Sequence, residues 1–319
     1  MQTLDQLLGI KYPILVAPMF LISNTKMVSE ALANGITAAF PALNYRTDQE
    51  LRKAIAEIRS HSTNPFGVNL IVNKSNPKYK SQLQTLLELK VDYIITSLGN
   101  PSEVIEQCKP LGIKVFCDVV DLAYAQKVEA LGADAIIAVN NRAGGHSGKL
   151  APRELITLLK ENCRIPIISA GGIAHGKDIR EVMSWGAAGV SVGTIFIACH
   201  EADISPDYKQ AMVEYGEKDI VMTTKLSGSP LTVINTPYVQ KLGTKANWLE
   251  RLLHSNKTLK KYVKMLIAYR GMKQVEQAAF GATYKTVWCA GPAIEHVHQV
   301  RPIGEIIRTL TREFEEALA

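Results

Sequence analysis

Eight short apolar runs recur along the first 193 residues: Pro13-Ile-Leu-Val-Ala-Pro-Met19, Ile36 to Phe40, Phe66 to Val72, Tyr93 to Ser97, Lys114 to Val120, Ala135 to Val139, Pro166 to Ala170 and Gly189 to Gly193. They are near-continuously apolar rather than alternating, as strands covered on both faces should be. Their starts lie 21 to 31 residues apart, which leaves room for one strand, one helix and two loops each time. Amphipathic stretches fill the gaps, among them Asp48 to Arg59, Ser81 to Leu89, Ala123 to Leu131, Pro152 to Lys160 and Asp178 to Trp185. Leu111-Gly112, Leu131-Gly132 and Trp185-Gly186 each put glycine where a helix ends in a left-handed turn before the next strand. Eight regular strand-helix units predict an α/β fold of the TIM (β/α)8 barrel type. A doubly wound open sheet is the alternative, but no Gly-x-Gly-x-x-Gly follows the first strand.

After Thr194 the pattern changes. Residues 200–285 contain helix-like stretches at Tyr208 to Tyr215, Ala246 to Leu253 and Leu259 to Tyr269, a loop at Leu226-Ser-Gly-Ser-Pro230, and no convincing strand. An insertion there emerges beside the carboxyl ends of the barrel strands, where barrel active sites sit, and is expected to act as a helical lid. The division expected is therefore a barrel of residues 1–199 plus 286–319, with 200–285 as lid and substrate domain. Pro302 to Leu318 reads as a periodic helix able to close the ring.

Composition changes this picture little. With 47% hydrophobic and 21% charged residues, the chain is ordinary for a globular enzyme. No secretion signal opens it and no apolar run has membrane length, so a cytoplasmic protein with neither membrane nor nucleic-acid partner is expected. The five cysteines are widely spaced without Cys-x-x-Cys and read as reduced, buried residues rather than metal ligands. Of the net charge of +6, much is local: from Lys241 to Lys273 nine Lys or Arg face only Glu250. That is the pattern of a solvated helix face, and also of a surface that attracts an anionic carrier or a dinucleotide.

Candidate chemistry gathers at the strand ends. The sixth run leads into Ala138-Val-Asn-Asn-Arg-Ala-Gly-Gly-His-Ser-Gly-Lys149, where Gly144, Gly145 and Gly148 leave His146 on a nearly bare backbone loop. Such a loop suits close approach to a flat or charged ligand, with the imidazole able to move a proton near neutral pH; it is also what a plain mobile turn looks like. A phosphate-loop reading fails at Ala143 and Leu150, and a nucleophile elbow around Ser147 fails at Lys149. The other strand ends supply Ala17-Pro18-Met19, Asn69, Thr96 with Ser97, Asp118, Ala170-Gly171-Gly172-Ile173 and Gly193-Thr194. Backbone amides from Gly171-Gly172 and Gly193-Thr194, each leading into a helix, predict an anion cradle where a barrel cofactor's phosphate binds.

Taken in order, Pro13 to Met19, Gly67-Val-Asn-Leu70, Ala143-Gly-Gly-His-Ser-Gly148, Ala170-Gly-Gly-Ile173 and Val192-Gly-Thr-x-Phe196 resemble the nitronate monooxygenases, formerly 2-nitropropane dioxygenases, and the similar flavin-dependent enoyl-acyl carrier protein reductases. The resemblance is strong over about the first 200 residues and weak in the tail. It implies an FMN-binding barrel. Carried over, it lays Ala17, Pro18 and Met19 along the isoalloxazine, sets Asn69 at its polar edge, gives the phosphate to Gly172, Gly193 and Thr194, and stands His146 near flavin N5. Thr96, Asp118, Ala143, Gly144, Gly145, Ala170 and Gly171 complete the expected cofactor contacts. Some relatives carry a basic or apolar residue at Asp118, and a carboxylate there would disfavour an anionic reduced ring. Trp288-Cys-Ala-Gly-Pro-Ala293 resembles a motif that often has Gln after Gly, and Pro292 removes that amide donor.

Three activities follow from the resemblance. The first is oxidation of an alkyl nitronate by FMN and O2 to a carbonyl compound, with His146 either removing the α proton of a neutral nitroalkane or, as imidazolium, holding the nitronate. The second is reduction of an enoyl thioester, with NAD(P)H reducing FMN and the basic segment receiving an acidic carrier. A flavin-binding protein without turnover is the third. Assembly is left open, a homodimer among the options.

Overall fold

In the computed structural model, residues 1–73, 76–224, 230–244 and 287–317 are described. The eight predicted runs form eight parallel strands: β1 (Ile14–Val16), β2 (Thr37–Pro41), β3 (Gly67–Ile71), β4 (Tyr93–Ser97), β5 (Lys114–Val119), β6 (Ala135–Val139), β8 (Ile167–Ala170) and β9 (Gly189–Val192). A two-residue strand, β7 (Gly145–His146), lies outside this set. The eight pair in chain order, and β9 returns to β1 through Ile14 opposite Val190 and Val16 opposite Val192, so the sheet is a closed barrel.

The helices of the shell are α2 (Thr25–Ala33), α3 (Asp48–His61), α4 (Tyr79–Glu88), α5 (Ser102–Cys108), α6 (Leu122–Ala130), α7 (Pro152–Asn162) and α8 (Gly176–Ser184). Local chemistry fixes their starts. Asn24 and Asp121 accept the Met27 and Tyr124 amides, and Thr47 with Glu50 forms a capping box ahead of α3. Their ends follow the sequence signals, with Gly112, Gly132 and Gly186 all at positive φ. The last helix, α12 (Ile303–Glu316), packs between α8 and α2 and completes the shell. The Arg180 guanidinium lies 3.5 Å from the Phe314 ring centre there, and Tyr12 donates to Glu315 at 2.6 Å.

Period-two alternation sorts the strand residues into two cores. Outward side chains such as Val16, Phe40, Val68, Ile94, Val115 and Ile136 pack under the helices. Inward ones, Leu15, Ala39, Tyr93, Ile95, Phe116, Ile137 and Ile168, fill the barrel, with the Tyr93 and Phe116 rings stacked at 4.8 Å. Leu4, on the short helix α1 (Leu4–Leu8), plugs the amino end of the barrel. The Tyr93 ring occupies the space above Gly67, where an added Cβ would fall 2.0 Å from its Cε2.

Beyond the barrel come α9 (Thr194–Ile197), α10 (Pro206–Glu214), β10 (Ile220–Thr223), β11 (Leu231–Ile234) and α11 (Pro237–Leu242). α10 is the helix predicted at Tyr208 to Tyr215. The expectation of no strand between 200 and 285 is corrected: β10 and β11 pair antiparallel, and β11 also pairs with β7. Four residues each are too few to show periodicity against their polar flanks. The predicted helices at Ala246 to Leu253 and Leu259 to Tyr269, the loop from Leu226 to Pro230 except Pro230 itself, and the basic segment beyond Thr244 lie outside the described residues. Cys108, Cys117, Cys163 and Cys199 are buried, Cys289 is half-buried, and all five are free thiols. Among the described residues no helix is long and apolar enough to cross a membrane, and no cluster of His, Cys, Asp or Glu is arranged to hold a metal.

Replacing Gly67 with Ala forces a methyl into the Tyr93 ring and is expected to destabilise the fold by about 1–3 kcal/mol. The check is a chemical-denaturation midpoint, and an unchanged midpoint would overturn this packing.

Candidate active site

One inward position remains on each strand above the filled layer of the barrel. These residues are Ala17, Pro41, Asn69, Ser97, Asp118, Val139, Ala170 and Gly193, and all except Pro41 are only half-buried. They form a floor at the carboxyl rim. Its apolar side runs through Val139, Ala170, Gly193 and Ala17. Its polar side is a hydrogen-bonded chain: Asn69 Nδ2 donates to Ser97 Oγ at 2.7 Å, and Ser97 Oγ donates to Asp118 Oδ2. Burial pushes the Asp118 carboxyl up to about 6, and the Ser97 hydroxyl pulls the other way.

Thr96 is a correction. Adjacent strand residues face opposite sides, so its side chain points out of the barrel, is 3% exposed, and meets Phe116 O and Cys117 Sγ. Ser97 holds the rim position instead. The turn at Ala17, Pro18 and Met19 is fixed by Ser23, whose hydroxyl accepts from the Met19 amide at 2.9 Å and donates to Ala17 O at 2.8 Å. Met19 and Ala17 border the open face of Gly193, where an added Cβ would meet Met19 Sδ at 3.3 Å.

One wall is the loop after β6. Asn140, 1% exposed, accepts the Arg142 amide at 2.8 Å and donates to Gly171 O at 3.0 Å, tying the histidine loop to the loop after β8. The loop continues through Ala143 and Gly144 into β7. His146 sits there opposite Leu231, and Ser147 Oγ lies 2.9 Å from Thr232 Oγ1, so two residues of β11 hold the backbone that carries the imidazole. The His146 side chain stays exposed at the rim, yet lost hydration holds its pKa below the ordinary imidazole value. Gly144 packs on Gly291 so closely that a Cβ on Gly144 would lie 2.7 Å from Gly291 N. Gly291 N in turn donates to Thr194 Oγ1 at 3.0 Å, joining the 288–293 segment to the rim.

Gly171 and Gly172 adopt φ of 112° and 84°, which L side chains resist. A Cβ on Gly171 would also lie 2.5 Å from Ala143 N and from Asn140 Oδ1. Among the described residues the amides of Gly172 and Gly193 have no hydrogen-bond acceptor. The amides just beyond are taken: Ala174 and His175 donate to Asp178, and Gly176 donates to Glu313. The rim therefore fits a planar ligand on a floor that is apolar on one side and polar on the other, with an anionic group at the two glycine amides. It brings together every sequence-predicted site residue except Thr96. Sequence reading missed Asn140, Leu231 and Thr232. Asn140 carried a signal, being the first polar residue after the sixth apolar run, whereas β11 carried none.

Comparison with known proteins follows the geometry. The nitronate monooxygenase family description matches residues 74–313. A curated relative in Rhodococcus jostii, (3aS,4S,5R,7aS)-5-hydroxy-7a-methyl-1-oxo-octahydro-1H-indene-4-carboxyl-CoA dehydrogenase, is 29% identical over 76% of this chain and 68% of its own. The nitronate monooxygenase of Paraburkholderia phytofirmans is 29% identical over 70% of this chain and 73% of its own. Among solved structures, FabK from Thermotoga maritima is 28% identical, with a TM-score of 0.85 over 100% of this chain and 97% of that one. A nitroalkane oxidase from Streptomyces ansochromogenes, 22% identical with a TM-score of 0.79 over 97% of this chain and 98% of that one, shares the fold. A family match across three quarters of the chain, on a barrel whose rim has this shape, identifies the protein as a member of the nitronate monooxygenase family of flavoprotein oxidoreductases.

Proposed function

We propose that the protein is an FMN-dependent nitronate monooxygenase that oxidises alkyl nitronates with O2 to carbonyl compounds. The observation that carries this reading is the pairing of β7 with β11, which stands one imidazole at the rim of a floor suited to a flavin. Bound FMN would supply the electron transfer and the reaction with O2. The chain's own residues do the rest. Ala17, Val139, Ala170 and Gly193 offer an apolar surface to the ring, and Asn69, whose amide nitrogen donates to Ile95 O and Ser97 Oγ, its side-chain oxygen to the polar edge. Gly172, Gly193 and Thr194 bind the phosphate. Of the segment expected as a lid, the described residues 200–224 and 230–244 would help exclude water.

His146 handles the proton. Because its pKa lies below the usual 6.5, the imidazole is neutral at pH 7 and ready to take the α proton of a nitroalkane, rather than to act mainly as an imidazolium. Asp118, with a pKa of about 6, is largely ionised at pH 7, so the floor carries negative charge beneath any ring bound there. That charge opposes an anionic reduced ring.

The whole-chain likeness to FabK favours one second reading, reduction of an enoyl thioester with NAD(P)H. The Rhodococcus jostii relative, named for a carboxyl-CoA compound, points to the same thioester class. The two readings separate anaerobically. Bleaching of the bound flavin by ethylnitronate, with NAD(P)H inert, is expected; rapid bleaching by NAD(P)H would favour the reductase.

His146→Ala is expected to keep its flavin and to lose about 10²–10⁴-fold in turnover of neutral nitroalkane, the span of general-base catalysis. Loss of flavin from that variant would contradict the division of roles. In the wild type, kcat/KM for a neutral nitroalkane is expected to rise with pH through a pKa below 6.5 and to stay flat above it, since deprotonation creates the base. A profile that falls across that range would refute the neutral imidazole. Gly172→Asp sets a carboxylate against the phosphate and is expected to yield protein without bound FMN; normal flavin content would remove the cradle.

A further inference from the structure

We propose that Arg142 is the cation that recognises the flavin's phosphate, and that Glu217 competes with this phosphate for the same guanidinium. The inference rests on the FMN reading above and extends it to a residue outside the glycine cradle.

The stem of Arg142 lies along Gly172. A Cβ on Gly172 would meet Arg142 Cβ, Cδ and Nε, each at 3.2 Å, so glycine at 172 both permits the backbone turn and makes room for this side chain. The Arg142 backbone is fixed, its amide bound to Asn140 Oδ1 and its carbonyl packed on Gly291. Only the head group is free to swing. That head now meets Glu217, with Nη2 3.0 Å from Oε1, and the two side chains are 41% and 49% exposed. A pair so exposed is held weakly and is readily exchanged.

The electrostatics of the cradle call for such a cation. The amides just past Gly172 are bound to Asp178 and Glu313, so a dianion seated at Gly172 and Gly193 would face two carboxylates. Backbone amides offset part of that repulsion, and a planar guanidinium beside them offsets more, in a geometry that suits two phosphate oxygens at once. Glu217 holds its own position because its amide donates to Glu295 Oε2 at 2.8 Å. When phosphate takes Arg142, Glu217 and the 217–219 turn leading into β10 lose their tie to the histidine loop. Cofactor binding is thereby linked to the segment that positions His146.

The test compares FMN with riboflavin, which has the same ring and no phosphate. Each is titrated by flavin fluorescence into flavin-stripped wild type, Arg142→Gln and Glu217→Gln. Wild type is expected to bind FMN more tightly than riboflavin. Arg142→Gln is expected to weaken FMN about tenfold, as for loss of one charge-assisted contact, and to leave riboflavin unchanged. Glu217→Gln is expected to tighten FMN about threefold, in keeping with an exposed ion pair, with riboflavin again unchanged. Equal weakening of both flavins by Arg142→Gln, or unchanged FMN affinity in either variant, would overturn the proposal. A wild type that does not distinguish the two flavins would bring down the FMN reading itself, before any variant is made.

Discussion

A closed parallel barrel leaves its side chains only two directions, and the rest of this protein depends on that constraint. Once Leu15, Ala39, Tyr93, Ile95, Phe116, Ile137 and Ile168 fill the interior, the next inward residue on each strand has nothing above it except the rim loops. Eight strands therefore present eight residues at one level, whatever chemistry those residues carry. In this chain they divide into a smooth apolar half and a half built on Asn69, Ser97 and Asp118. The division follows from which residue types fall at the last inward position of each strand, and no loop rearrangement is needed to create it.

This parity also explains what was legible in the sequence. Strands covered on both faces are apolar throughout, so all eight were visible as runs, and the helices between them could be bounded by their glycines and capping residues. The same continuity hid which side each residue faces. Thr96 and Ser97 are equally plausible rim residues in sequence, and only the barrel turns one outward and the other inward. The glycine-rich loops could be read because Gly171, Gly172 and Gly144 answer local demands of backbone angle and close approach. Partnerships across long separations could not. Ser147 meets Thr232 and Thr194 meets Gly291 without any local pattern to announce it.

The two titratable groups at the rim are displaced by the same cause in opposite electrical senses. Lost hydration favours whichever form is uncharged, so it lowers the imidazole of His146 and raises the carboxyl of Asp118. Both changes bring the groups toward neutrality. At pH 7 this leaves the imidazole neutral and Asp118 largely ionised, so the floor keeps a negative charge and is sensitive to the charge of what enters the site.

The barrel makes its own floor but borrows the means of fixing its histidine. β7 is two residues long and has no barrel partner; it is held as a strand by β11, which the chain reaches only after leaving the barrel and passing through α9, α10 and β10. The eight barrel strands therefore close on one another without β11, while the backbone that carries His146 takes its strand pairing from an element outside them.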